Sequence, residues 1–315
     1  VVKSPGIPET APLVVALKQK GIPVIGEIEF AAQYTNARLY CITGSNGKST
    51  TTMLTYYILQ KAGVNVGLAG NIGRSFALQV AQEQFDVYVL EISSFMLDDM
   101  YQFRADVAVI LNITPDHLDR YDHKMENYVD SKFRMIRNQT ANDYFIYCLD
   151  DEETVKGLER HHTEAAIWPM TQEQVINPGA YLDQEKNIII NTPKGEQFIM
   201  NTEDLSLQGK HNVYNNMAAG LVAKVQELRN RSMQESMSSY VNIPHRLEHV
   251  ACIGGVNYIN DSKATNVNSV WYALESFSPQ IVLIMGGVDK GNDYEMLRDL
   301  VRSKVRAIIL SLIHI

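Results

Sequence analysis

The stretch Ile42–Thr50, "ITGSNGKST", constrains this chain more than any other segment of its length. A strand-like run "RLYCIT" (38–43) leads into it, and a helical pattern "GKSTTTMLTYYILQKAG" (47–63), closed by a glycine, follows at once. A strand feeding a glycine-rich turn and then a helix aims backbone N–H groups and the positive helix end at one point, which suits a phosphate. The common phosphate loop reads Gly-x-x-x-x-Gly-Lys-Ser/Thr. Counting back from Gly47-Lys48-Ser49 puts the first glycine at residue 42, where the chain has Ile42; the glycine stands at Gly44. The stretch is therefore a chance turn, a defective loop or a shorter loop of its own type. In the phosphate reading Gly44, Ser45, Asn46 and Gly47 form the cradle, and Lys48 neutralises phosphate charge. The hydroxyl of Ser49 or Thr50 then ligates Mg²⁺.

From about residue 38 onward apolar runs alternate with helical patterns, the signature of a mostly parallel sheet covered by helices. "VNVGLAG" (64–70), "DVYVLEI" (86–92) and "ADVAVILNI" (105–113) read as further buried strands. "MENYVDSKFRMIR" (125–137) places Met125, Val129, Phe133 and Ile136 on one helical face. Residues 165–207 become short strands broken by Asn-Pro-Gly and Thr-Pro-Lys-Gly turns, which predicts an antiparallel annex on the same domain. "HNVYNNMAAGLVAKVQEL" (211–228) returns to helix. After "NIPHR" the alternation restarts with "GGVNYIND", "QIVLIMGG" and "VRAIIL". The expected organisation is an α/β chain in three parts: 1–37 as the tail of a preceding domain, 38–242 as a central P-loop domain, and 243–315 as a Rossmann-like domain cut short. Opening on Val1 and closing on "RAIILSLIHI", the sequence reads as a fragment missing both ends.

Bulk properties exclude several classes of function. Hydrophobic content of 45% with 20% charged residues over 315 positions describes a soluble globular protein of two or three domains. A net charge of −8 argues against a general nucleic-acid binder. No apolar run approaches the roughly 18 residues that a spanning helix needs. Cys41, Cys148 and Cys252 lie far apart in apolar runs without C-x-x-C spacing, so they read as buried free thiols in a reducing compartment.

The remaining chemistry-bearing residues sit mostly after strands. Glu91 ends "DVYVLEI", where a carboxylate faces the ligand crevice of an open α/β sheet and can share a Mg²⁺ with the loop hydroxyl. "LNITPDHLDRYDH" (111–123) supplies Asp116, His117, Asp119, Asp122 and His123, either as a solvated loop or as a mononuclear metallohydrolase site. Lys132, one turn after Tyr128, reads as a surface lysine. "GKHNVYNN" (209–216) offers amides for a nucleobase or for capping. "PHRLE" (244–248), "NDSKATN" (260–266) and "GGVDKGND" (286–293) are polar loops whose Arg246, Lys263 and Lys290 suit anionic groups.

Taken in order, "TGSNGKST", "NIG", "LEISSF", "LNITPDHLDRY", "GKHNVYN", "PHRLE" and "NDSKATN" resemble the Mur ligase family of ATP-dependent amide-forming enzymes, across essentially the whole chain. The family's own loop runs T-G-[ST]-N-G-K-[ST], so the short loop fits it. "LEISSF" with "NDSKATN" and "GGVDKG" is most similar to the branch that joins D-glutamate to UDP-N-acetylmuramoyl-L-alanine through an acyl phosphate, for peptidoglycan synthesis. The resemblance implies ATP and two Mg²⁺ ions, with Lys48 on phosphate and Ser49, Glu91, His117 and a carbamate on Lys132 as metal ligands. It further implies Asn212 and Asn215 beside the adenine, Arg246 at the γ-phosphate and Asp261 at the ribose. Ser4, Gly6, Asn71 and Ser93 would meet the uridine nucleotide, and Lys263, Thr265 and Lys290 the D-glutamate. A bacterial cytoplasmic monomer that binds neither nucleic acid nor membrane is the implied setting. Met96 departs from the branch, which has Gln after "SSF". Another Mur-type ligase, a folylpolyglutamate synthase, a P-loop ATPase switch and a nucleotide-binding relic are the rival readings.

Overall fold

The computed structural model of the chain describes residues 1–242, 245–287 and 293–311. They belong to two compact units, Val1–Tyr240 and Val241–Ile315.

The first unit opens with β1 (Val2–Lys3), α1 (Pro12–Gln19), β2 (Ile25–Gly26) and α2 (Glu27–Ala32). The alternating part follows: β3 (Arg38–Thr43), α3 (Lys48–Lys61), β4 (Val66–Gly70), α4 (Phe76–Gln82), β5 (Val87–Glu91), α5 (Ser94–Leu97) and β6 (Val107–Ile110). It continues with α6 (Met125–Phe133), β7 (Tyr144–Cys148), α7 (Glu152–Arg160) and β8 (Ala166–Thr171). Then come β9 (Gly179–Leu182), β10 (Asn187–Asn191), β11 (Gln197–Asn201), α8 (Lys210–Val225) and α9 (Asn230–Ser239). Among the described residues nine strands form one sheet in the order β11-β10-β9-β8-β7-β6-β3-β5-β4.

The strands read as continuous apolar runs because the sheet is covered on both faces. Along β3, Tyr40 and Ile42 enter one core while Leu39 and Cys41 enter the other. Val87 and Val89 of β5 join the first core, and Tyr88 and Leu90 the second. Helices α3, α8 and α9 cover the first core; α2, α4, α5 and α6 cover the second.

One sequence expectation is met with a refinement and another needs correction. The antiparallel annex is present as β10 and β11, which extend the central sheet itself, while the first strands of the 165–207 segment stay parallel. β8 pairs parallel to β7 and β9 parallel to β8, whereas β10 and β11 reverse. The helix α7 between β7 and β8 makes a crossover, which returns the chain in the same direction. Cys41 and Cys148 are buried as expected, but Cys252 is exposed. The outer edge of β11 is met by side chains of α9: Asn230 Nδ2 donates to Gln197 O (2.8 Å) and Gln234 Nε2 to Ile199 O (3.0 Å).

Residues 1–37 are fastened to this unit by buried charges. Lys3 Nζ lies 2.8 Å from Asp99 and 3.3 Å from Glu9, and donates to Ile7 O at 2.9 Å. The Glu29 carboxylate accepts from the backbone N–H groups of Tyr101, Gln102 and Phe103 at 2.9–3.1 Å. No described helix is long and apolar enough to cross a membrane.

In the second unit β12 (Glu248–Ile253) and β13 (Val256–Asn260) form a hairpin, turned by Gly254 and Gly255 at positive φ. α10 (Val267–Ser276) is capped by Asn266, whose side chain accepts from Ser269 N at 2.9 Å. β14 (Ile281–Gly286) and β15 (Val305–Ser311) pair in parallel, with α11 (Arg298–Lys304) before β15.

Two substitutions test these constraints. Lys3→Met leaves Asp99 buried and unpaired, so unfolding in urea should show a loss of about 3–5 kcal/mol. Burial already pushes the Asp99 carboxyl up, and Lys3 holds it down. Without Lys3 the folded state binds that proton more tightly than the unfolded chain, so the loss grows as pH rises. Gly47 and Gly63 share a φ of +82°, but a Cβ at 47 would collide with Asn215 Oδ1 while one at 63 meets nothing. Gly47→Ala should therefore destabilise by more than Gly63→Ala, which carries only the backbone penalty of about 1 kcal/mol or more.

Candidate active site at the strand ends of the central sheet

The loop after β3 is moulded by the loop after β6. Ser45 N donates to Asn112 O (2.9 Å), and Asn46 N to Asn112 Oδ1 (2.8 Å). The Asn112 amide returns a bond to Asn46 O (3.1 Å), and Ser45 Oγ both donates to Thr114 O and accepts from Thr114 N. Lys48 folds back over the turn and donates to Gly44 O and Ser45 O, each at 2.9 Å. Thr50 is buried and Ser49 only partly so, which leaves Ser49 as the reachable hydroxyl.

Asn212 and Asn215 of α8 come to the same place. Asn215 Nδ2 donates to Asn212 Oδ1 (2.8 Å), and Asn215 Oδ1 accepts from Thr51 Oγ1 (3.0 Å) in the first turn of α3. Gly47 is needed here because a side chain would strike that Asn215 oxygen.

Glu91 ends β5, paired with Ile42 of β3, and is 1% exposed. Its Oε1 accepts from Asn71 Nδ2 at 2.8 Å, while Oε2 is buried without a hydrogen-bond partner. Asn71 can close on it because Gly70 has φ +98°, and any Cβ there would collide with Glu91 O. A buried carboxylate oxygen lacking a donor is costly, and a divalent cation with oxygen ligands would satisfy it.

Lys132 is not a surface lysine: it is 1% exposed, and its Nζ donates to Gly44 O at 2.9 Å. It also lies 4.6 Å over the Tyr128 ring, whose hydroxyl is 3.2 Å from Ser45 Oγ. Burial first, and the Lys48 charge second, hold its amine well below the usual lysine range, towards the uncharged, nucleophilic form.

His117 stands at positive φ (52°) with its side chain 40% exposed, 3.7 Å from Asp116 and edge-on to Phe95 at 5.0 Å. No three His, Cys, Asp or Glu residues converge among the described residues, which removes support for the metallohydrolase reading of the acidic loop. A cation site here would have to mix Ser49, Glu91, His117 and a modified Lys132.

Ser93 caps α5 by accepting from Met96 N (3.3 Å), and Met96 packs against the second core. Ser4 opens a turn closed by Ile7 N to Ser4 O (3.0 Å), with Gly6 in open space. Within the second unit the arginine and aspartate loops are stitched together. Leu247 N donates to Asp261 Oδ1 (3.1 Å), Lys263 N donates to His245 O (3.1 Å), and Arg246 Nε is buried without a partner. Burial raises the Asp261 carboxyl. Lys263 and Thr265 are exposed, and Lys290 lies outside the described residues.

Sequence reading missed Asn112 and Thr114, which shape the phosphate loop, and Asp151. The Asp151 carboxylate accepts from Ile113 N (3.1 Å) and Thr154 N (2.9 Å), so it fixes the 111–117 loop while capping α7. Its place one residue before an acidic helix start was the available signal.

Comparison with known proteins identifies the family. Residues 42–223 match the Mur ligase middle domain. The UDP-N-acetylmuramoylalanine–D-glutamate ligase of Bacteroides fragilis is 51% identical over 314 residues, covering 100% of this chain and 70% of that protein. Among solved structures, MurF from Acinetobacter baumannii has a TM-score of 0.70 at 19% identity, covering 90% of this chain and 65% of that one. MurF from Thermotoga maritima in complex with ADP has a TM-score of 0.66 at 16% identity, covering 95% and 81%. The two structural likenesses speak to the fold; with the sequence match across the full chain, they place this protein in the Mur ligase family.

Proposed function

We propose that the protein is the ATP-dependent ligase that joins D-glutamate to UDP-N-acetylmuramoyl-L-alanine, as a monomer in the bacterial cytoplasm. The observation that carries this reading is Lys132. It is a buried lysine whose amine burial holds well below the usual lysine range, and it is hydrogen-bonded to the phosphate loop itself. A plain ATPase switch has no use for such a residue. The 51% identity to a D-glutamate ligase over the whole chain supports the choice of substrates.

A carboxylate does not acylate an amine at neutral pH, so ATP must first turn it into an acyl phosphate, releasing ADP. Lys48, freed from Gly44 O, would follow the transferring phosphoryl group and spread its charge; Arg246 would do so from the γ side. The Gly44–Gly47 loop, its Ser45 and Asn46 N–H groups held by Asn112, would wrap the phosphates, and Asn212 and Asn215 would lie beside the adenine. Asp261 would hold the ribose. Asn71, Ser93, Ser4 and Gly6 would hold the uridine nucleotide. Lys263, Thr265 and Lys290 would bind D-glutamate, whose amine attacks the acyl carbon and expels phosphate. Two Mg²⁺ ions, held by Ser49, Glu91, His117 and a Lys132 carbamate, would supply charge neutralisation at the phosphates. In its uncharged form the Lys132 amine can add to CO₂ and lose a proton, which would give the site a second anionic ligand in addition to Glu91.

The full-length protein should release phosphate from ATP only when UDP-N-acetylmuramoyl-L-alanine and D-glutamate are both present. Equal release with meso-diaminopimelate or L-lysine refutes the amino-acid assignment, and release with ATP alone refutes the ligase. Lys132→Ala should keep its far-UV and near-UV circular dichroism but lose at least about a hundredfold in kcat. It should also lack the carbamate carbon resonance that ¹³C-labelled bicarbonate gives with the unaltered protein.

A further inference from the structure

The turn Ser4–Ile7 has little of its own to hold it: one internal backbone bond, with Gly6 in open space. It is gripped from outside by two cations. Lys3 Nζ takes Ile7 O on one side, and Arg120 Nη1 takes Pro5 O at 2.9 Å on the other. Arg120 belongs to the short helix Leu118–Tyr121 that directly follows His117. Its guanidinium lies over the Phe95 ring, 4.0 Å from the centroid, and its Nε is 3.7 Å from Asp98 Oδ2. Asp98 is itself fixed by Ser131 Oγ (2.7 Å) and Tyr121 OH (3.0 Å). The same Phe95 ring meets the His117 ring at 5.0 Å. One planar side chain thus touches the turn that carries Ser4 and Gly6, the helix that follows Ser93, and the loop that carries His117. Its Nη2 is buried without an acceptor among the described residues.

We propose that Arg120 is a positioning residue for the uridine-nucleotide substrate: it locks the Ser4–Ile7 turn to Phe95 and the His117 loop. This rests on the assignment of that turn to the nucleotide, made above. Arginine suits the task better than lysine because only a planar fork can stack on the ring and still reach the Pro5 carbonyl.

The test uses the full-length protein and the variants Arg120→Met and Arg120→Lys, with calorimetric binding and hydrogen exchange. Arg120→Met should weaken binding of UDP-N-acetylmuramoyl-L-alanine about tenfold or more, the worth of one hydrogen bond from a charged donor, and leave ATP binding unchanged. The Ile7 amide should exchange about tenfold faster, while amides of β3 and β5 do not change. Arg120→Lys, which keeps the charge but not the plane, should fall between. Unaltered Ile7 exchange in Arg120→Met overturns the lock, and so does weakening of ATP binding in step with the nucleotide. If the unaltered protein fails to bind the uridine nucleotide, the functional assignment falls instead, and the exchange result alone decides whether Arg120 holds the turn.

Discussion

Two amines meet at one carbonyl oxygen. Gly44 O accepts from both Lys48 and Lys132, and the rest of the site is arranged around that meeting. Two ammonium groups so close, one of them wholly buried, repel each other at a cost that water cannot screen. Burial and the neighbouring Lys48 charge both push Lys132 towards giving up its proton. A charged lysine can then leave the loop for a phosphate while a neutral one stays behind. Gly44, the first residue after β3, lies within reach of Lys132 on α6.

That geometry depends on the sheet. β3 lies between β5 and β6, so the phosphate loop, Glu91 and the 111–117 loop all emerge at the same strand ends. Asn112, Thr114 and Asp151 then turn neighbouring loops into one hydrogen-bonded body. These bonds hold the loop in one shape, which lowers what binding a phosphate must spend on ordering it.

Much of this was legible in the sequence, for reasons that can be named. β3, β5 and β6 are covered on both faces, and double burial writes an unbroken apolar run. The helix after the loop and the one carrying Lys132 were legible because turn, cap and periodicity agreed. Strand direction in 166–201 was not, since alternation reports which face a residue takes and says nothing of which way the chain runs. Lys132 looked like any amphipathic-edge lysine, because burial of its head group depends on Gly44, remote in sequence. Nothing local marks Arg120 either, since it stands between Asp119 and Tyr121 in an acidic loop. The local pattern gives elements; what a charged side chain reaches across elements is a tertiary fact.

The far side of the sheet has a different kind of consequence. A wide sheet whose last strand is free invites a second chain to add itself, the route to aggregation. Here the outward carbonyls of Gln197 and Ile199 are already occupied by the amides of Asn230 and Gln234. Two neutral side chains on one short helix thereby act as a stopper, ending a template that would otherwise extend from molecule to molecule. Their contribution would register in colloidal behaviour during synthesis and refolding, far from the chemistry and invisible to any assay of turnover.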